Sequence, residues 1–153
     1  MDWQAACQAA SDAKLHGLEI DSVKNPLLTA KNSPTNPELA AAARRQLAAK
    51  DLTVPCVGTA ADLTASEAED EIHAAVETAA NLLVPYVALH TVCDDRQTVI
   101  EKLSPLVALA EKNNVTLLLE SGGAMADTKK LVDVLDYFQK VQETEWKKMK
   151  VEN

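Results

Sequence analysis

Apolar positions along this chain switch repeatedly between helical spacing and short continuous runs. Residues 2–15 carry the helical period, and Gly17 suits the C-terminal end of that helix. GLEI at 17–20 reads as a short buried strand, followed by a loop rich in Asn and Pro over 24–37. Asn36 then caps a helix with Pro37 at its first position, where the missing N–H costs nothing. A second strand is predicted over 52–57, with Pro55 implying an edge or a bulge. Thr64-Ala65-Ser66-Glu67 has the form of a capping box. The helix it opens places Ile72, Ala75, Val76, Ala79, Leu82 and Leu83 on one stripe. Tyr86 to His90 is the third strand. The helix over 95–112 turns Val99, Leu103, Leu106 and Leu109 inward, with a kink expected at Pro105. VTLLLE at 115–120 is a continuous apolar run of the parallel-sheet kind. Asp127 caps a last helix whose inward positions are Leu131, Leu135, Phe138 and Val141.

Strands recurring every 30 to 35 residues, each separated by a helix, give the βαβ rhythm, with right-handed crossovers and a parallel sheet. The expected fold class is α/β, a partial (β/α) barrel-like parallel sheet of about four strands with helices on one face. No linker or low-complexity stretch divides the chain, so residues 1–153 are expected to form a single domain. A chain of this length buries about 68–70% of its unfolded surface, enough for a real core. Aromatic residues are only 3% of the 153, so Ala, Leu and Val must build it.

Charge narrows the partners. The net charge is −8, and the small basic clusters Arg44-Arg45, Lys129-Lys130 and Lys147-Lys148 sit at helical spacing among acids, as solvated faces do. No nucleic-acid partner is expected, because such affinity rests on clustered Lys and Arg. No stretch approaches 18 uninterrupted apolar residues, and the start has neither a basic nor an apolar leader region, so no membrane span or signal peptide is expected. Cys7, Cys56 and Cys93 show no motif spacing and read as reduced thiols, which makes the cytoplasm the expected location.

In parallel α/β folds, chemistry gathers where strands end and the next loops begin. The polar residues there are Glu19 and Asp21, Thr59 and Asp62, His90 and Asp94, and Glu120 and Ser121. Gly58 and the Gly122-Gly123 pair lie in the same loops, where backbone could approach a ligand. Glu120 closes an apolar strand, which is costly for a carboxylate unless it is paired, metal-bound or facing solvent. It reads as a functional rim position or as a carboxylate simply reaching water. His90 ends the neighbouring strand and reads equally as a packing residue or as a ligand; Glu19 is likewise open. His16 and His73 sit at a helix end and on an acidic helix face, with no chemistry implied. There is no GxGxxG, P-loop or nucleophile elbow.

The stretches GLEI, LTVPCVGT, AAVETAANLLVPYVALH and LSPLVALAEKNNVTLLLESGGAMADTKKLVDVLD resemble, in order and spacing, the xylose-isomerase-like TIM-barrel family over residues 3–138. That family includes sugar and sugar-phosphate isomerases and epimerases, inosose dehydratases and endonuclease IV-type repair enzymes. The resemblance implies that Glu120, ending the fifth barrel strand, is a metal ligand and a catalytic acid/base carboxylate. It implies that His90 matches a metal ligand at the end of the fourth strand, and that Glu19 lies in the second-strand GxE motif; Glu19 and His90 are then substrate-binding candidates. The cofactor implied is a divalent ion, Mn, Mg or Zn, and the substrate a sugar or sugar phosphate.

TIM barrels typically run to about 250 residues. The resemblance places this chain between the family's first and fifth helices, as a truncated member. The remaining Asp, His and Glu ligands, on the sixth to eighth strands, then have no counterpart here. One carboxylate and one imidazole fall short of the roughly four to six ligands such ions take. Two readings of function follow: a metal-dependent isomerase or epimerase, or a non-catalytic remnant or assembly module that keeps the half-barrel fold. Endonuclease activity would need further His ligands and a basic groove. Open sheet edges and an uncovered inner face lead to an expected homo-oligomer, an eight-strand dimer being the simplest closed form.

Overall fold

The computed structural model describes residues 2–28 and 33–151; the part of the predicted loop at 29–32 lies outside the described residues. Five helices are described, α1 (Trp3–Asp12), α2 (Ala40–Ala49), α3 (Ala68–Leu82), α4 (Arg96–Lys112) and α5 (Thr128–Val151). Three parallel strands, β1 (Cys56–Gly58), β2 (Tyr86–Leu89) and β3 (Thr116–Leu119), pair in chain order. The α/β parallel architecture is therefore the expected one.

The predicted strand at 17–20 is reduced to two parallel bridges, Gly17 to Thr53 and Ile20 to Val57. The register slips by one residue between them, so the β1 side carries an extra residue. Pro55 sits in that bulge. It has no amide to donate, and the Ile20 amide reaches past it to the Cys56 carbonyl at 3.3 Å.

Side chains on one face of the sheet, Val57, Val87 and Leu89, are buried beneath Ile72, Ala75 and Ala79 of α3 and Val99 and Leu103 of α4. The opposite face carries Cys56, Tyr86, Ala88, Thr116 and Leu118, and is more open: Tyr86 is 43% and Leu118 41% exposed. This is the period-two alternation of a sheet packed on one side.

Several start signals act as read. Asn36 accepts the Glu38 amide at 3.0 Å, and Pro37 opens a 3-10 turn that runs into α2. Asp127 accepts the Lys129 amide at the start of α5. α4 has a cap that was not singled out from the sequence: Asp95 accepts from the Thr98 amide and hydroxyl. The capping box does not form. The Thr64 amide and hydroxyl both go to Asp62 Oδ1, at 2.9 and 2.6 Å, and α3 begins only at Ala68. On α5 the deeply buried residue is Val134; Leu135 is 51% exposed and Val141 is also exposed, contrary to the inward stripe expected there. The helix rests on its neighbours by one edge of that stripe.

Gly17 does not end α1. That role falls to Lys14, and the same device recurs without glycine: Lys14, Asp51, Leu83 and Asn114 follow α1 to α4, each with φ between 54 and 59°. After each, the next amide reaches back five residues, Leu15 to Ala10, Leu52 to Leu47, Val84 to Ala79 and Val115 to Ala110. These are Schellman closures, turning each helix into the next extended segment. Leu83, placed on the inward stripe by periodicity, is instead left-handed and 76% exposed. A side chain in this conformation costs about 1–2 kcal/mol. Leu83→Gly is therefore expected to raise stability by about 1 kcal/mol in urea denaturation; a loss would show that Leu83 packs in a way its exposure conceals.

Candidate active site

The loops at the C-terminal ends of the strands are tied to one another by two carboxylates and close backbone contacts, and a third carboxylate ties the β2 loop to α5. Glu71, on the buried side of α3, is 1% exposed. It accepts from Ser22 Oγ at 2.7 Å and from the Ala60 and Ala61 amides at 2.7 and 3.1 Å, with Lys24 Nζ at 3.8 Å. It thus joins the loop after Ile20 to the loop after β1. Desolvation pushes its pKa upward, but these hydrogen bonds and Lys24 outweigh it and leave the carboxyl below its ordinary value.

Asp62 makes the next tie, from the β1 loop to the β2 loop. One oxygen holds Thr64 and the other accepts the Val92 amide at 2.5 Å. Its pKa is lowered as well: desolvation opposes, while Thr64, the Val92 amide and nearby His90 prevail. Thr59 Oγ1 donates to the Ala88 carbonyl at 3.1 Å. Asp94, in the β2 loop, pairs with Lys130 of α5 at 3.3 Å. Two glycines are needed for loop contact rather than for a ligand. A Cβ on Gly58 would lie 2.6 Å from the Asp21 carbonyl oxygen, and one on Gly123, at φ +55°, would lie 2.8 Å from the Thr91 oxygen.

On this frame Glu120 and His90 come out side by side. The register pairs Leu89 with Leu119, and the Glu120 amide donates to the Leu89 carbonyl at 2.8 Å. The next residues are thus neighbours on adjacent strands, which run about 4.8 Å apart. By alternation both belong to the open face, opposite the buried Leu89. Glu19 reaches the same face from the bridged segment. Ile20 bridges Val57 and is buried with it, so by alternation Glu19 projects with Cys56 to the open face. The Cys56 thiol is pushed up by desolvation first, and then by the carboxylates of both Glu19 and Glu120. That thiol stays protonated at neutral pH and is a poor nucleophile.

The three residues singled out from the sequence therefore share the open face, with Glu120 and His90 adjacent and Glu19 level in register with Cys56. Among the described residues, no three His, Cys, Asp or Glu side chains come close enough together to hold a metal ion. Glu120 and His90 by themselves fall short of the roughly four to six donors a divalent ion takes. What they can do by themselves is hydrogen-bond hydroxyl groups and take or return a proton. The residue that sequence reasoning missed is Glu71. Its signal was legible: position 71 falls on the apolar stripe of Ala68, Ile72, Ala75 and Ala79, where a carboxylate must be paired.

A protein family described as xylose isomerase-like TIM barrel matches residues 7–148. Among solved structures, that of a xylose isomerase domain protein from Planctomyces limnophilus matches with a TM-score of 0.66 and 16% identity. The match covers 83% of this chain and 52% of that one, so the chain spans about half the length of this structural relative. No curated protein matches the sequence. No helix among the described residues is long and apolar enough to cross a membrane.

Proposed function

The chain belongs to the xylose isomerase-like TIM barrel family, and we propose that it carries part of the active site of a cytoplasmic sugar or sugar-phosphate isomerase or epimerase. The observation supporting this is the shared register of Glu120 and His90 on the open face, with Glu19 on the same face. Glu120 is the acid/base carboxylate that moves a proton at the carbon next to the substrate carbonyl. His90 and Glu19 hold the sugar hydroxyls and fix which carbon faces Glu120. Glu120 and His90 also supply two donors toward Mn, Mg or Zn; a complete ion site needs donors beyond these two.

Isomerisation or epimerisation by proton transfer at Glu120 passes through an enediolate, whose carbon can take up a proton from solvent. Incubating the protein with a panel of ketoses and ketose phosphates in D2O is expected to place deuterium at this carbon. Glu120→Gln should abolish the exchange while unfolding free energy stays within about 1 kcal/mol, as for an exposed position. Mn2+ added alone should broaden the His90 ring resonances in the wild type and not in E120Q. Exchange no faster than in protein-free buffer rejects proton transfer by Glu120; if no isomerised or epimerised sugar forms either, the non-catalytic assembly module is left.

A further inference from the structure

We infer that Asp62 is a positioning residue: it grips the turn that carries His90 and, through that turn and its own charge, sets the His90 ring on the open face. This rests on the reading of His90 as a residue that holds substrate, and names the group that aims it. Asp62 stands in the loop after β1, and its carboxylate is committed to donors on two sides. Oδ1 accepts the Thr64 amide and hydroxyl at 2.9 and 2.6 Å, and Oδ2 accepts the Val92 amide at 2.5 Å. The Leu63 amide, next in the chain, donates to the His90 carbonyl at 3.1 Å, and Leu63 itself is buried. Residues 62 and 63 thus hold the β2 loop at His90 and again two residues beyond it. The β3 loop holds the same turn from the other side, where the Ala124 amide donates to the carbonyl of the buried Thr91 at 3.3 Å.

With the backbone pinned from both neighbours, what stays variable at His90 is the rotamer of its side chain. A carboxylate has about four acceptor sites, two on each oxygen. Thr64 fills both on Oδ1, whereas Oδ2 retains one beside the Val92 amide. That site is open to a ring N–H of His90. The imidazole is within electrostatic reach: desolvation opposes the lowering of the Asp62 pKa, and Thr64, the Val92 amide and His90 produce it. A carboxylate on one ring nitrogen fixes the orientation and tautomer of a histidine and leaves the other nitrogen for the ligand. With three donors already on its two oxygens, Asp62 itself is poorly placed to take a substrate proton.

Asp62→Ala and Asp62→Ser separate this role from that of a plain loop tie. The serine hydroxyl can still accept the Thr64 amide two residues on, so this variant keeps the local turn and carries the test if the alanine variant fails to fold. In both, the Val92 amide should exchange with solvent at least about tenfold faster than in the wild type. Three-bond couplings about the His90 Cα–Cβ bond should report one staggered rotamer in the wild type and an average over rotamers in both variants. Thr64→Ala is the control: it removes a donor to Oδ1 only, and the His90 couplings should stay at the wild-type values. No substrate takes part in these measurements, so they can fail while deuterium exchange into ketoses succeeds, and the reverse. Faster Val92 exchange with His90 still in one rotamer overturns the inference and leaves Asp62 as a loop tie. An unchanged Val92 amide overturns it too, as does a His90 ring already averaged in the wild type.

Discussion

Glu71→Ala is expected to cost about 3–5 kcal/mol, because the substitution removes one side of a buried charged hydrogen-bond cluster. The Ser22 hydroxyl and the Ala60 and Ala61 amides all lose their acceptor, and Lys24 loses its partner. Each buried donor left unsatisfied costs about 1–3 kcal/mol unless water replaces the lost oxygen. Glu71→Gln keeps the shape and one acceptor oxygen but presents an NH2 group to donors, so its cost should be smaller and still clear. The pH dependence carries a defined sign. The folded pKa lies below the ordinary 4.5, so the charge-dependent stabilisation is fully present above about pH 4.5. It is lost as pH falls through the lowered folded value. Urea denaturation should therefore show a constant difference between wild type and E71A from pH 7 to 5, shrinking below 4.5. A loss under 1 kcal/mol at pH 7 would mean that the loops hold themselves without this carboxylate.

Gly58→Ala is expected to cost about 3 kcal/mol, at the upper end of ordinary overpacking. The added Cβ would stand 2.6 Å from the Asp21 carbonyl oxygen and 3.2 Å from its carbon, both backbone atoms. The two segments cannot simply part, since the Gly58 amide donates to the Ile20 carbonyl at 2.6 Å. Relief requires lifting residues 20 and 21 off β1, which carries the neighbouring Glu19 away from the open face it shares with Glu120. The Gly58 amide should accordingly exchange faster in G58A. Gly122→Ala is the control, with nothing within 4 Å of the new Cβ, and should stay within about 0.5 kcal/mol. Equal effects at the two glycines would sink the contact argument.

Periodicity and turn chemistry were enough to place the repeating units. The runs at 86–90 and 115–120 became β2 and β3 within a residue at each end, and Asn36 and Asp127 begin their helices as their side chains dictate. These are local effects: burial on one face sets the period, and a short polar side chain satisfies an amide two or three residues away. The rim placement of Glu120 and His90 was legible for a related reason, since a parallel sheet aligns strand ends and brings the residues after Leu89 and Leu119 together.

Other features were settled only by contacts distant in sequence. The 17–20 strand stayed at two bridges because Pro55, some 35 residues away, has no amide to complete the ladder. Thr64 left its capping box because Asp62 competed for it while also reaching Val92 thirty residues on. Leu83, Asp51 and Asn114 went left-handed, without glycine, where the next residue turns inward to begin an extended segment. The strain of one residue is offset there by the burial of Leu52, Val84 or Val115 against the packed sheet, whereas Leu15, after Lys14, stays exposed. Glu71 shows the same division. Its place on an apolar stripe was written in the order of residues, but the donors that let a carboxylate stay buried and charged there come from Ser22, Lys24, Ala60 and Ala61, and only the folded chain gathers them.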